Sequence, residues 1–233
     1  DNYCKREFDS ANLEKKVVSA DQFFSVSKEY DVPDAKYLLF HIKQYHITDI
    51  PKINEVENKE LREFAKNKCL DHLLMINEIQ TQVMVAIQYL QKQRVTEVRC
   101  EGSTKEITPE DCQEIYFASL VSALSSIYTP KEIEDGINNG ELFKKFMLIP
   151  GADLLLASQD KLKILPAETI EANRKAFSMR EEYGPGSQEY NQATYDDREN
   201  VILDLASKSE TRIQVVLYGA KHDLKDNIEK WNK

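Results

Sequence analysis

Apolar positions along the chain fall into three runs of strand type separated by stretches of helical period. Tyr37-Leu38-Leu39-Phe40-His41-Ile42 is a continuous apolar run, too short for a helix and rich in strand formers. Such a run predicts a central strand covered on both faces. From Asn58 to Gln93 the apolar residues Leu73, Ile76, Ile79, Val83, Ile87 and Leu90 recur three or four apart, with no Pro or Gly, which predicts a long amphipathic helix. Val95–Cys100 reads as a second strand, stopped by Glu101-Gly102-Ser103-Thr104. Strand, helix and strand in that order form a parallel crossover.

The middle of the chain is helical. Thr108-Pro109 and Thr129-Pro130 each place a capping hydroxyl before a proline at the first helical position. Leu154 to Leu165 holds two apolar runs around Gln159-Asp160 and predicts a hairpin. Pro166-Ala167-Glu168 opens a helix that ends before the loop Tyr183-Gly184-Pro185-Gly186, and Glu168 is expected to favour that helix's N-terminus electrostatically, with facing the ligand pocket as the lesser alternative. Asp196–Lys208 is helical, Ile213–Tyr218 is the third strand, and Leu224–Trp231 a short closing helix. The organisation expected is an N-terminal helical arm over 1–35, ending at Val32-Pro33-Asp34, and one α/β domain over 36–233. That domain has a largely parallel or mixed central sheet flanked by helices and a mostly helical insertion across about 103–195.

Composition narrows the function. The 233 residues carry 31 Lys+Arg against 40 Asp+Glu, a net charge of -9, the wrong sign for counterion-driven attachment to nucleic acid. No apolar run approaches the roughly 20 residues of a membrane-spanning helix. Neither GxGxxG nor GxxxxGK[ST] occurs, which argues against dinucleotide enzymes and P-loop ATPases. The four cysteines Cys4, Cys69, Cys100 and Cys112 contain no CxxC, so zinc-ribbon and thioredoxin-like readings fail. The chain opens on Asp1 without a charged apolar leader, which fits either a chain trimmed at its start or an exported protein whose signal has been removed, with a cytoplasmic protein as the alternative. In an oxidising compartment, periplasmic or extracellular, Cys100–Cys112 is the bridge to test first.

Each strand of the inferred parallel sheet ends in a group able to do chemistry: His46 after the first, Glu101 after the second, His222 after the third. Ligands of open α/β sheets sit at the carboxyl ends of the strands. Two imidazoles and a carboxylate there could hold a divalent metal or run general acid–base chemistry near neutral pH. His41, inside the first strand, reads as a core histidine, and His72 as a solvated helix residue.

At these positions the chain resembles a known group. A strand ending in Lys43-Gln44-Tyr45-His46, a later strand ending in Glu101-Gly102, a helix opened by Asp197-Arg198-Glu199-Asn200, and a closing strand ending in Gly219-Ala220-Lys221-His222 look like the Tiki/TraB, ChaN and erythromycin-esterase superfamily. The likeness covers roughly 37–102 and 196–232. It implies an α/β fold with GxxH signatures after the first and last core strands, and a site of His46, Glu101, Arg198 and His222. Lys43 stands where the first signature glycine would be, whereas the Gly219 copy is intact. Members include metal-dependent peptidases, metal-independent esterases with a histidine base, and haem-binding lipoproteins. The resemblance therefore implies a hydrolase-like pocket. In its metal form His46, Glu101 and His222 hold the ion; in its metal-free form one histidine is the base and Glu101 orients it. In both, Arg198 stabilises an anionic intermediate acting on an unassigned small-molecule or peptide substrate. The alternative is a haem-binding or catalytically silent partner protein, with Tyr45 as the phenolate ligand of a haem iron.

Overall fold

A computed structural model describes residues 35–44, 53, 56–219 and 221–232. The expected N-terminal arm, Cys4, Tyr45, His46 and Ala220 lie outside the described residues. The chain divides into two compact units: the described residues of 1–43, 88–107 and 163–233 form one, and those of 44–87 and 108–162 the other.

The first unit is built on a parallel sheet of β1 (Leu38–Gln44), β2 (Glu97–Cys100), β3 (Lys163–Pro166) and β4 (Ile213–Gly219), in the order β1-β4-β2-β3. β2 sits beside both β3 and β4 in parallel register, with Arg99 opposite Leu165 on one side and Val216 on the other. β4, last in sequence, separates β1 from β2, as the crossover rules of an α/β sheet allow. Every residue from Ile213 to Tyr218 is buried, which accounts for the unbroken apolar run: a strand covered on both faces has no polar side to present. Ala167, Ile202, Val216, Tyr218 and Leu224 form a core cluster on one face, with Leu39 and Ile228 against it.

Arg99 lies within this core at 7% exposure. Its guanidinium donates to Gln214 Oε1 (3.1 Å), to the Pro166 carbonyl at the end of β3 (2.7 Å), and to the Leu205 carbonyl (3.2 Å). The three nitrogens of a planar fork are spread widely enough to serve three acceptors on three elements at once, whereas an ammonium would have to reach them all from a single nitrogen. Burial lowers its pKa, with the Glu97 charge opposing.

The expected hairpin over 154–165 is instead a short helix, a turn and a strand. The first apolar run, Leu154-Leu155-Leu156-Ala157, contains helix formers and no β-branched residue, and it lies in the helix Ala152–Ser158. Only the second run forms a strand, and it pairs in parallel with β2. Residues from Lys163 onward thus belong to the sheet unit rather than to a helical insertion. Pro166 closes β3 and does not open a helix. The helix there, Ile170–Tyr183, starts behind Thr169, whose side chain accepts the Ala172 N–H (3.2 Å), and stops at Gly184 with φ 80°.

The second unit is helical. The long helix Lys59–Gln91 turns Leu73, Ile76, Val83 and Ile87 inward. It also carries buried Gln80, whose side chain accepts the Ala152 N–H (3.1 Å). Pro109–Ser125 and Pro130–Asn138 begin at the predicted Thr-Pro pairs, the second through a capping box in which Thr129 and Glu132 exchange bonds. Cys69, Cys100 and Cys112 form no disulfide with one another, so the Cys100–Cys112 bridge is not formed. Burial, with Asp153 and Asp111 adding, pushes the Cys112 thiol up to about 11, leaving it neither a nucleophile nor a thiolate ligand at neutral pH. No helix among the described residues is long and apolar enough to cross a membrane.

Candidate functional site

Parallel strands bring their carboxyl ends to one edge, and three of the four end in residues that meet there. Glu101 follows β2 directly, its N–H continuing the ladder to the Leu217 carbonyl (3.0 Å). Glu168 stands two residues beyond β3, and Gly219 closes β4. Opposite them a π-helical segment, Gln192–Asp197, runs into the helix Arg198–Ser207, whose first turn supplies Arg198 and Glu199.

The Gly219-to-His222 spacing has a local cause. The Gly219 carbonyl accepts the His222 N–H (3.0 Å), so four residues fold the imidazole back over the strand end. The Gly219 N–H donates to Glu101 Oε2 at 2.6 Å. A Cβ on residue 219 would stand 3.0 Å from that same oxygen. Glycine leaves room for that close approach, and a larger residue would push the carboxylate away by a few tenths of an ångström.

His222 is enclosed, at 3% exposure, rather than partly open as a cleft residue would be. The Tyr218 ring meets it edge-on at 4.2 Å, and the Tyr195 ring lies at 5.1 Å. Its Nδ1 is 2.9 Å from Glu199 Oε1, which also accepts the Asp223 N–H (3.1 Å). Its Nε2 faces Glu101 Oε1 at 3.6 Å, an electrostatic contact longer than a hydrogen bond. Burial pushes the imidazole pKa down, but the close carboxylates of Glu101 and Glu199 outweigh it and hold the group above its ordinary value.

Glu168 is the centre of the remaining polar network, with a side chain wholly buried. Its Oε1 accepts from the Gly102 N–H (2.8 Å), the Tyr218 hydroxyl (2.9 Å) and Arg198 Nη2, while Oε2 accepts from Asn173 (2.8 Å). Burial alone would raise this carboxyl, yet the Arg198 bond and charge, with Asn173 and Gly102, hold it below the ordinary value. Arg198 Nη2 also reaches Glu101 Oε1 at 3.1 Å. Burial would lower the guanidinium, but Glu168, Tyr218 and Glu101 raise it, so it is a permanent cation. Burial likewise raises Tyr218, which stays a neutral donor. Two buried polar atoms, Arg198 Nε and Thr194 Oγ1, have no partner among the described residues.

Of the expected site residues, Glu101, Arg198 and His222 are thus within hydrogen-bonding or ion-pair distance of one another through Glu101. His46 and Tyr45, the other metal ligand and the haem ligand of the expectation, lie outside the described residues. Among the described residues no group of three or more His, Cys, Asp or Glu side chains is arranged to hold a metal ion. His222 Nε2 and Glu101 Oε1 do form a two-donor pair at a separation that a divalent ion could span, with Nδ1 backed by a carboxylate as in many metal-bound histidines.

Two central residues were not picked out as site residues by the sequence reading. Glu168 takes the lesser of its two expected roles and faces the strand ends. Reading 163–166 as a parallel strand would have put it just past the end of β3, as Glu101 lies just past the end of β2. Glu199 was visible beside Arg198, but neighbours on a helix point about 100° apart, and only the fold shows that one faces Glu168 and the other His222. Comparison of the chain with protein-family models, curated proteins and solved structures finds no match.

Proposed function

We propose that this edge is a hydrolase-like centre of the Tiki/TraB, ChaN and erythromycin-esterase kind, working by histidine-based proton transfer. The observation that carries the reading is the imidazole itself. Its Nδ1 is tied to a buried carboxylate and its Nε2 faces a second carboxylate that a guanidinium also contacts. Nε2 is the atom that exchanges a proton with an attacking water or a leaving group. Arg198 is fixed by Glu168 and retains an Nε–H without an acceptor among the described residues, a donor to offer to charge developing on a substrate oxygen. Glu101 Oε1 contacts both the guanidinium and the imidazole and so ties the two groups together. If a divalent metal is bound, Glu101 and His222 would hold it, and it would acidify a water molecule; His46 is the further ligand that the resemblance implies.

A second reading has its own support. His222, Glu168 and Glu199 are each at most 3% exposed, and so enclosed a network suits a catalytically silent partner protein in which the cluster only braces the strand ends. Purified protein tested on chromogenic esters and peptides, with and without added divalent metal or chelator, separates these readings. Turnover abolished by Glu101→Gln and Arg198→Lys in folded protein supports the first. Absence of turnover under every condition overturns it, and a Soret band or stoichiometric metal in the purified protein would redirect the assignment to haem or to the metal-assisted form.

A further inference from the structure

We propose that Glu199 is the positioning residue of this site: it holds His222 with the ring proton on Nδ1 and so leaves Nε2 as the working nitrogen. Glu101, which the resemblance would cast as the orienting carboxylate, does not have that role. The inference deepens the hydrolase reading, and it assigns a function to a residue outside the set that the resemblance implies.

Distance separates the two carboxylates first. Glu199 Oε1 is 2.9 Å from Nδ1, within hydrogen-bonding range, while Glu101 Oε1 is 3.6 Å from Nε2 and outside it. Commitment separates them next. Glu101 gives Oε2 to the Gly219 N–H and Oε1 to Arg198, so its orientation is set by other partners. Glu199 gives one oxygen to both Nδ1 and the Asp223 N–H, binding the ring and the backbone just after it. An oxygen that already accepts from a backbone N–H is held as an acceptor, which puts the shared proton on the imidazole. The side chains of His222 and Glu199 are both 4% exposed, so little water competes for the bond. The groups facing the ring are Glu101 beyond β2, Glu199 from the helix Arg198–Ser207, Tyr218 from β4 and Tyr195 from the π-helical segment. The two aromatic rings restrict a flip that would exchange the nitrogens. The pattern matches the way a carboxylate on Nδ1 fixes the tautomer of a catalytic or metal-bound histidine.

The test is nitrogen-15 NMR of the imidazoles in the intact chain, which has only four histidines, His41, His46, His72 and His222. The His222 signals are identified by their loss in His222→Gln. In wild type, the neutral ring of His222 should appear as the Nδ1–H form; Glu199→Gln should shift it toward the Nε2–H form, whereas Glu101→Gln should leave it as Nδ1–H. Glu199→Asp, which keeps the charge, should restore the wild-type tautomer. Circular dichroism on each variant verifies folding; if Glu199→Gln does not fold, the wild-type tautomer and Glu199→Asp decide. An Nε2–H tautomer in wild type, or a larger tautomer shift in Glu101→Gln than in Glu199→Gln, overturns the proposal. Catalysis does not enter this readout: an inactive protein with the expected tautomer would overturn the hydrolase reading and leave the role of Glu199 standing.

Discussion

Replacing Glu168 by Gln keeps the shape of the most enclosed carboxylate and removes its charge. The remaining carbonyl oxygen can still accept from the Gly102 N–H and the Tyr218 hydroxyl, and Asn173 can turn its own oxygen toward the new amide. What is lost is the charge-assisted bond to Arg198, whose side chain is 11% exposed and keeps Glu101 as its ionic partner. A hydrogen bond to a charged group is worth about 1.5–3 kcal/mol, and burial places this one toward the upper end. With a urea dependence of roughly 2–3 kcal/mol per molar for a chain of this size, the midpoint should fall by about 1 M. The chain has one tryptophan, Trp231, whose ring N–H donates to Asn200 Oδ1 (3.0 Å), so its fluorescence follows the unit that holds the site. The sign with pH is fixed as well. The folded carboxyl of Glu168 lies below its ordinary 4.5, so its contribution is present above that value and is lost as pH falls through the lower folded value. Glu168→Gln should therefore lose its disadvantage in acid. A midpoint shift under 0.2 M at neutral pH, or a deficit unchanged in acid, would show that the network contributes nothing net and refute the reasoning. The double variant Glu168→Leu with Arg198→Met supplies the control, because removing both members of a buried pair costs far less than removing one.

His222→Ala should lower stability by about 2–3 kcal/mol by leaving the buried Glu199 with only the Asp223 N–H among the bonds described above. Because the folded imidazole lies above its ordinary 6.5, the deficit should be largest below that pH and shrink as pH rises through the folded value, which urea midpoints across pH would show. Gly219→Ala should cost about 1 kcal/mol by crowding Glu101 Oε2, and should shift the His222 imidazole resonances; an unchanged spectrum would mean the carboxylate does not need that approach. Arg99→Lys should cost about 1.5–3 kcal/mol, read by the same fluorescence, since an ammonium would have to span three acceptors on separate elements from one nitrogen; a neutral result would mean the three bonds carry no net stability.

The fold was legible where one element obeyed one rule. β4 announced itself because both of its faces are buried, and Thr108-Pro109 and Thr129-Pro130 because capping is decided within four residues. Ala152–Ser158 and β3 were misread as a hairpin because two short apolar runs about a polar turn look alike whether they pair with each other or not. The choice was made by Leu and Ala in the first run and by the parallel register that β2 offers the second. The same limit governed the site. Glu101 and His222 could be found because each ends a strong strand, whereas Glu168 depended on recognising β3. The pairing of Glu199 with His222 is a tertiary fact, settled by the rotation of one helix relative to a turn 23 residues later.

Charge and exposure together indicate from which side the cluster meets a ligand. Among the described residues three carboxylates, Glu101, Glu168 and Glu199, contact two basic groups, Arg198 and His222, so in that set carboxylates outnumber cations even with the imidazole protonated. A further anion such as a phosphate monoester would enter against that excess, whereas a neutral carbonyl or an ammonium group would not. Exposure is graded in the same direction: the Glu101 side chain is 17% exposed and Arg198 11%, against 0% for Glu168 and 4% for Glu199. The two inner carboxylates are spent on holding Arg198 and His222, and the outer pair is what a substrate would touch first. His222 Nε2 faces that outer pair. A role for it in catalysis therefore requires the approach along Glu101, and substitutions there should alter reactivity before they alter stability, while substitutions at Glu168 should do the reverse.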